Sequence, residues 1–572
     1  MADLEALLAE RLAAAFGAIA GEPVDPAVRR SQHADFQADG ALALARGLGR
    51  SSRELAAAVV DRADLADLCA NVSIAGPGFI NLAVSDEALG RLVTELAPDE
   101  RLGVAPTVRP EIVVVDYSAP NAAKEMHVGH LRSTIIGDAV VRVMAWLGHI
   151  VIKQNHIGEW GTPFGMLIEH LLDVGEDAAV HELSAGDLTG FYQAARATFD
   201  REPDFAERSR QRVVLLQAGD TTSRRLWALL VAESKRYFAE VYARLGVLLT
   251  DADYDGESSY QDQLESVLAE LDALDLIRIS DSASCVYPTG FTNRDGEPLP
   301  LIVRKRDGGF GYPTTDLAAI RHRLRDLGAT RLLYVVGLPQ HLHLEMVYET
   351  AREAGWLRSP ARAEHVGHGS VLGSDGKRLR TRAGVSVKLG DLLDEAVARA
   401  AAVVAAKNPD LGPDEQAAVA TAVGIGAVKY ADLSTDRIKD YVFDLDRMLA
   451  LHGNTAPYVQ YAHARIQSIF RKAGADARPG PARITEPAEH ALALELLGFA
   501  GLVPQVAESL ELHRLAGYLY GLAAAFMTFF EQCPVLTAPD PVRAGRLALC
   551  DLTGRTLRTG LGLLGIAAPD RM

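Results

Sequence analysis

Along most of the chain, apolar residues recur every three or four positions, the signature of helices with one buried face. Two stretches break that rhythm. EIVVVDYS, from Glu111, and RLLYVVG, from Arg331, are continuous apolar runs, and the second lies between the helical patterns DLAAIRHRLRDLG and HLEMVYETAREAG. Runs of this kind between amphipathic helices are what strands buried on both faces look like. The β–α alternation predicts a parallel sheet covered by helices. After the first run, Leu131, Ile135, Ile136, Ala139, Val140, Val143 and Leu147 share one helical face, and Gly148 is a plausible stop.

The flanking regions have other patterns. Residues 1 to about 106 mix helical periodicity with one strand signal, AGPGFINLAV, in which a Pro-Gly turn leads into apolar alternation. SSRELAAAVVDRA predicts a helix opened by a serine cap, with Glu54 in its first turn. PDERLGVAPTVRP is the linker candidate. Between about residues 170 and 270 charged helical patterns such as RLWALLVAESKRYFAEVYARLG predict a helical insertion or lid. From about residue 391 long helical patterns dominate. The expected organisation is an α+β domain over 1–106, a parallel-sheet α/β domain over 107–390 and a helical bundle over 391–572.

Composition narrows the class without choosing a function. A chain of 572 residues exceeds what one core usually serves, and 48% apolar residues is a globular composition. No run of ~20 apolar residues is free of charge, so no membrane span is expected. The first residues, MADLEALLAERLAAAFGAIAG, carry acidic charges at the front and read as an amphipathic helix, not a leader. Cys69, Cys285, Cys533 and Cys550 have no ligand-like spacing, which points to a reducing, cytoplasmic setting without structural zinc. A net charge of −17 argues against a generally sticky polyanion binder. A specific one stays open, because affinity depends on the local patch. Pro541 to Met572 holds five arginines and two aspartates.

The candidate chemistry sits where the first strand meets its helix. His127 and His130 flank Gly129 at the carboxyl end of a sheet strand, where ligands bind in open α/β sheets. The helix amino terminus offers unpaired N–H groups and partial positive charge, both suited to phosphate. Two imidazoles there could donate hydrogen bonds to phosphate oxygens. Metal ligation would want a third ligand, and no HExxH-like pattern is present. Histidines merely satisfied at a helix start remain the plain alternative.

The wider string DYSAPNAAKEMHVGHLRSTIIGDA resembles the class I aminoacyl-tRNA synthetases, and among them the arginyl family. NHIGEWGTPFGML, GYPTTDLAA, GKRLRTRAGVSVKLGDLLDEA, VGIGAVKYADLS, GNTAPYVQYAHARIQSIFRKA and the amino-terminal QHADFQADGALALA extend the likeness over essentially the full length. The resemblance implies a Rossmann-type catalytic domain with a helical insertion, a tRNA-contacting amino-terminal domain and an anticodon-binding carboxyl-terminal bundle. It implies ATP, as its magnesium complex, L-arginine and tRNA(Arg) as substrates, arginyl-adenylate as intermediate, and a monomer. By the same resemblance His127, Gly129 and His130 bind ATP phosphates, Lys124 adds charge, and Lys377, Arg380 and Arg382 stand in the loop where KMSK is usual. Asp116, Asn121, Tyr312, Asp316 and Gln340 match arginine-contacting positions, while Tyr458, Tyr461, Arg465 and Met572 match the tRNA-binding end. Two departures are Glu159, where an aspartate is expected, and Pro163, where a glutamine is common. Another HxGH nucleotidyltransferase, and a non-catalytic tRNA-binding relative, are the alternatives; the intact histidine signature and Lys124 speak against the second.

Overall fold

The computed structural model describes residues 3–175, 188–306, 308–380, 387–474 and 478–572. The chain divides into two compact units. One comprises Met1–Pro106, Ala400–Tyr430 and Met448–Met572; the other comprises Thr107–Arg399 and Ala431–Arg447.

The second unit is built on the parallel sheet that the apolar runs predict. Its four strands lie in the order Arg362–His365, Arg331–Tyr334, Ile112–Asp116, Ile150–Gln154, all parallel. Val113, Val115, Leu332 and Leu333 are fully buried, which is why the runs are continuous instead of alternating. The chain steps outward from Ile112–Asp116 to Ile150–Gln154, then returns to the other side of its first strand. The winding therefore reverses between Ile112–Asp116 and Arg331–Tyr334, and a crevice opens at their carboxyl ends. Asp116 ends its strand in register with Tyr334 on one side and Gln154 on the other.

The helix Val128–Trp146 covers this sheet with Leu131, Ile135 and Ala139 fully buried. It begins three residues ahead of the periodic face, at the histidine signature itself. Gly137 lets it lie close to the preceding loop, since a Cβ there would come within 2.2 Å of the Tyr117 side chain. The expected insertion holds the helices Leu188–Arg201, Pro203–Gln217 and Thr221–Leu245 among the described residues. A three-stranded antiparallel sheet (Ile277–Ser280, Ala283–Val286, Leu301–Arg304) follows, which no clear alternation announces. Its hairpin turns on Asp281 and Ser282, with φ of +47° and +64°, where a glycine pair would have been the readable signal.

The first unit contains an antiparallel sheet in the order Val28–Arg30, Phe36–Ala38, Phe79–Val84, Cys69–Ala75. Ser51 caps the helix Ser52–Val60, as the serine signal predicts. Long helices follow in the carboxyl-terminal part, including Ala456–Ala473, Leu512–Gln532 and Val542–Leu563. Within the unit, Arg555 donates to the carbonyls of Ala97 and Asp99, and His490 lies between Asp35 and Asp86 at 3.2 and 2.7 Å. The stretch Pro487–Ser509 has the length and apolarity of a membrane span. It is broken at Gly498, and its Glu489 is fully buried against Arg546 at 2.7 Å, so it serves as bundle interior.

Candidate active site

His127 is the N-cap of the Val128–Trp146 helix, and its Nδ1 accepts the Gly129 N–H at 3.0 Å. His130, at the third helical position, accepts the His127 N–H on its own Nδ1 at 3.1 Å. The two rings lie 4.0 Å apart. A nitrogen that accepts an N–H carries no proton, so in the neutral ring the proton sits on Nε2. Both imidazoles thus present an Nε2–H donor. Burial pushes His130 down to about 3, and burial with the Lys124 charge lowers His127, so both are neutral near pH 7. Gly129 has a packing reason of its own: a Cβ would meet the His127 ring at 2.7 Å.

The approach to the histidines is an over-determined loop. Ser118, Ala119 and Ala123 have positive φ, a conformation that non-glycine residues adopt only under constraint. The constraints are polar. Ser118 N–H donates to Ser133, and the Ser118 hydroxyl is hydrogen-bonded to Thr134 and Tyr242. Ala119 N–H donates to Asn155, and Ala123 N–H to Ser234. Ser133 and Thr134 thereby explain the polar residues on a buried helix face.

Lys124 rests its ammonium over the Tyr192 ring at 4.2 Å. Lys377 and Arg380 are exposed on the loop after Leu372, and neither has an ion pair among the described residues. Arg382 lies outside the described residues. The far arm of that loop returns to the signature, where Val128 N–H donates to the Val387 carbonyl and Lys388 pairs with Glu125 at 2.8 Å.

The arginine-pocket candidates separate into two groups. Tyr312 and Gln340 line a cavity of about 1300 Å³ together with Trp160, Glu257, Gln261 and His343. Asp316 reaches that wall through His343, whose Nε2 is 2.6 Å from Oδ2, and Tyr312 packs edge-on to the same imidazole. Asp116 and Asn121 do not line this cavity. Asp116 is buried and bonded at 2.8 Å to Arg323, a fully buried guanidinium that also reaches Asp255. Asn121 is exposed and packs on Gly158, whose Cβ would come within 2.3 Å of Oδ1.

Sequence reasoning missed Glu257. Burial pushes its carboxyl up to about 7; the nearby His156 and the Trp160 N–H oppose this, and Asp316 and Glu159 add to it. Glu159 holds the same turn by accepting from the Ser258 N–H and hydroxyl. A Cβ on Gly256 would strike Glu159 at 2.2 Å, so the glutamate departure and the glycine belong together. The only signal was an acid in the polar turn DYDGESSY.

In the other unit, Tyr461 and Arg465 of the Ala456–Ala473 helix stack on each other, and Arg465 also covers Phe530 at 4.7 Å. Both line a cavity of about 610 Å³ with Arg471, Lys472, Arg571 and Met572. Met572 packs against the apolar cluster of Ala400, Val404, Val419 and Val423. Tyr458 instead packs at a tilt against Tyr520, 5.5 Å between ring centroids, and does not line that cavity.

Comparison with known proteins agrees along the whole chain. Residues 92–445 match the family described as "tRNA synthetases class I (R), catalytic domain", 459–572 the "DALR anticodon binding domain" and 2–84 the "Arginyl tRNA synthetase N terminal domain". An arginine–tRNA ligase of Thermobifida fusca is 57% identical, with both chains covered in full, and one of Frankia casuarinae is 54% identical over 96% of this chain and 95% of that one. Among solved structures, the Thermus thermophilus arginyl-tRNA synthetase superposes with a TM-score of 0.83 at 27% identity, both chains covered in full. The Plasmodium falciparum enzyme gives 0.86 at 27%, covering 100% of this chain and 99% of that one. With the catalytic model matched over more than half of the chain and full-length relatives above 50% identity, the chain belongs to the arginyl-tRNA synthetase family of class I aminoacyl-tRNA synthetases.

Proposed function

We propose that this chain ligates L-arginine to tRNA(Arg), first forming arginyl-adenylate from ATP with release of pyrophosphate, then passing the arginyl group to the terminal ribose. The observation that carries the reading is the pair of neutral imidazoles with both Nδ1 atoms occupied by backbone N–H groups. Their Nε2–H donors need no proton from solvent to meet phosphate oxygens, and they strengthen as charge builds on the leaving pyrophosphate. Lys124 brings a compact cation within reach of the same phosphates, with Lys377, Arg380 and Arg382 supplying further positive charge from the loop. Among the described residues no three His, Cys, Asp or Glu side chains converge on a cation position. Magnesium keeps several waters and binds through phosphates, so an ion carried on ATP suits such a site.

For arginine, Tyr312, Asp316, Gln340 and Glu257 form the guanidinium side, and Asn121 stands at the reacting end. Planar N–H donors call for carboxylates and carbonyls facing them. Asp116 acts behind this wall, through the buried Arg323. Residues 1–106 and 391–572 serve as tRNA-contacting and anticodon-binding parts of a cytoplasmic monomer, and 107–390 as the catalytic part. Tyr461, Arg465 and Met572, with Tyr458 on the same helix as Tyr461, supply stacking and charge for unpaired bases. ATP–pyrophosphate exchange, run with each amino acid and with tRNA(Arg) present or absent, tests the reading: exchange driven by arginine supports it, and exchange driven by another amino acid overturns it.

A further inference from the structure

Two residues beyond His130, Arg132 is almost wholly buried. Its Nε meets Asp432 at 3.1–3.2 Å, Asp432 having no exposed side-chain surface, and its Nη1 donates to the Lys439 carbonyl at 2.7 Å. Its other terminal nitrogen is buried without a hydrogen-bond partner among the described residues, and the guanidinium lies 5.4 Å from the Tyr441 ring centroid. Such a pair is costly to desolvate and is weak evidence of stabilisation, since apolar side chains of similar volume often serve as well. Its geometry offers a better account.

Lys439 stands two residues before Tyr441–Val442, the short strand that pairs in parallel with Val371–Leu372. That second strand is the near arm of the basic loop: Leu379 N–H donates to Val371, Gly373 N–H donates to Lys377, and Leu372 bridges to Arg378. The far arm is bonded to the signature backbone, through Val128 N–H on Val387 and Leu389 N–H on Met126. The described ends of the basic loop are therefore tied, one to the backbone on either side of His127, the other to the segment that Arg132 holds. Asp432 lies in the last turn of the helix Pro413–Leu433.

We propose that Arg132 and Asp432 are positioning residues for adenylate formation, holding the histidine helix and the anchor of the basic loop in one geometry. The proposal rests on the phosphate-handling reading above, and wild-type exchange with arginine separates the failure of one from the failure of the other. The test uses the full chain, with arginine-dependent ATP–pyrophosphate exchange measured in the presence of tRNA(Arg). Asp432→Asn keeps the shape and removes the charge; it is expected to lower exchange kcat tenfold or more with the arginine KM within twofold. Arg132→Lys should recover part of what Arg132→Ala loses. In all three variants tRNA affinity should stay within twofold. Exchange kcat within twofold of wild type in both Asp432→Asn and Arg132→Lys overturns the proposal. So does a joint loss of kcat, arginine KM and tRNA affinity, or failure of the isosteric Asp432→Asn to fold, because the pair would then only support the structure.

Discussion

At His127 and His130 the backbone decides the chemistry of the side chain. Each Nδ1 is held by a main-chain N–H, and burial keeps both rings neutral. Replacing either histidine with alanine should lower exchange kcat ~10²-fold or more, the loss expected for a transition-state donor. Because no imidazolium is required, kcat should not rise as the pH is lowered through 6.5; a rise would assign the work to a protonated ring. Glu257 has the opposite sensitivity. Its folded pKa, about 7, lies above its ordinary value of 4.5, so its contribution to stability is full below 4.5 and is lost as the pH rises through 7. A guanidinium binds the ionised form best. The arginine KM should therefore fall between pH 6 and pH 8, and thermal stabilisation by arginine should grow over the same interval. Glu257→Gln should flatten both profiles.

Individual elements were legible where one pattern dictated them. The buried runs at 112 and 331 became adjacent parallel strands because their residues face helices on both sides. The Ser51 cap and the turn before Phe79 were equally readable, each being a local signal. The antiparallel sheet around Ala283–Val286 was not, because its strands are short and its turn uses Asp281 and Ser282 in place of glycine. The loop from Ser118 to Ala123 was also opaque: its conformation is imposed by Ser234, Tyr242 and Asn155, all far along the chain. The histidine pair could be found from sequence, while Glu257 could not, since a carboxylate in a polar turn has no periodicity to betray it. In the helical bundle, Glu489 accepts from Arg546, Thr485 and the Glu486 N–H. Arg546→Ala leaves that buried carboxylate without its cation and should cost roughly 3–5 kcal/mol in urea unfolding.

Over the whole molecule, the net charge of −17 coexists with a cavity lined by Arg465, Arg471, Lys472 and Arg571. Binding of tRNA should then be strongly salt-dependent, with log affinity falling linearly in log salt. If Arg465 meets a phosphate, Arg465→Ala should reduce that slope by about one; an unchanged slope would leave it as a packing residue over Phe530. The central claim is that the neutral histidine pair serves arginine activation, and arginine-dependent ATP–pyrophosphate exchange in the wild type and the His130→Ala variant measures it directly. The account predicts exchange with arginine and no other amino acid, and a fall of ~10²-fold or more in the variant with the arginine KM nearly unchanged. Exchange driven by a different amino acid, or full exchange without His130, would contradict it.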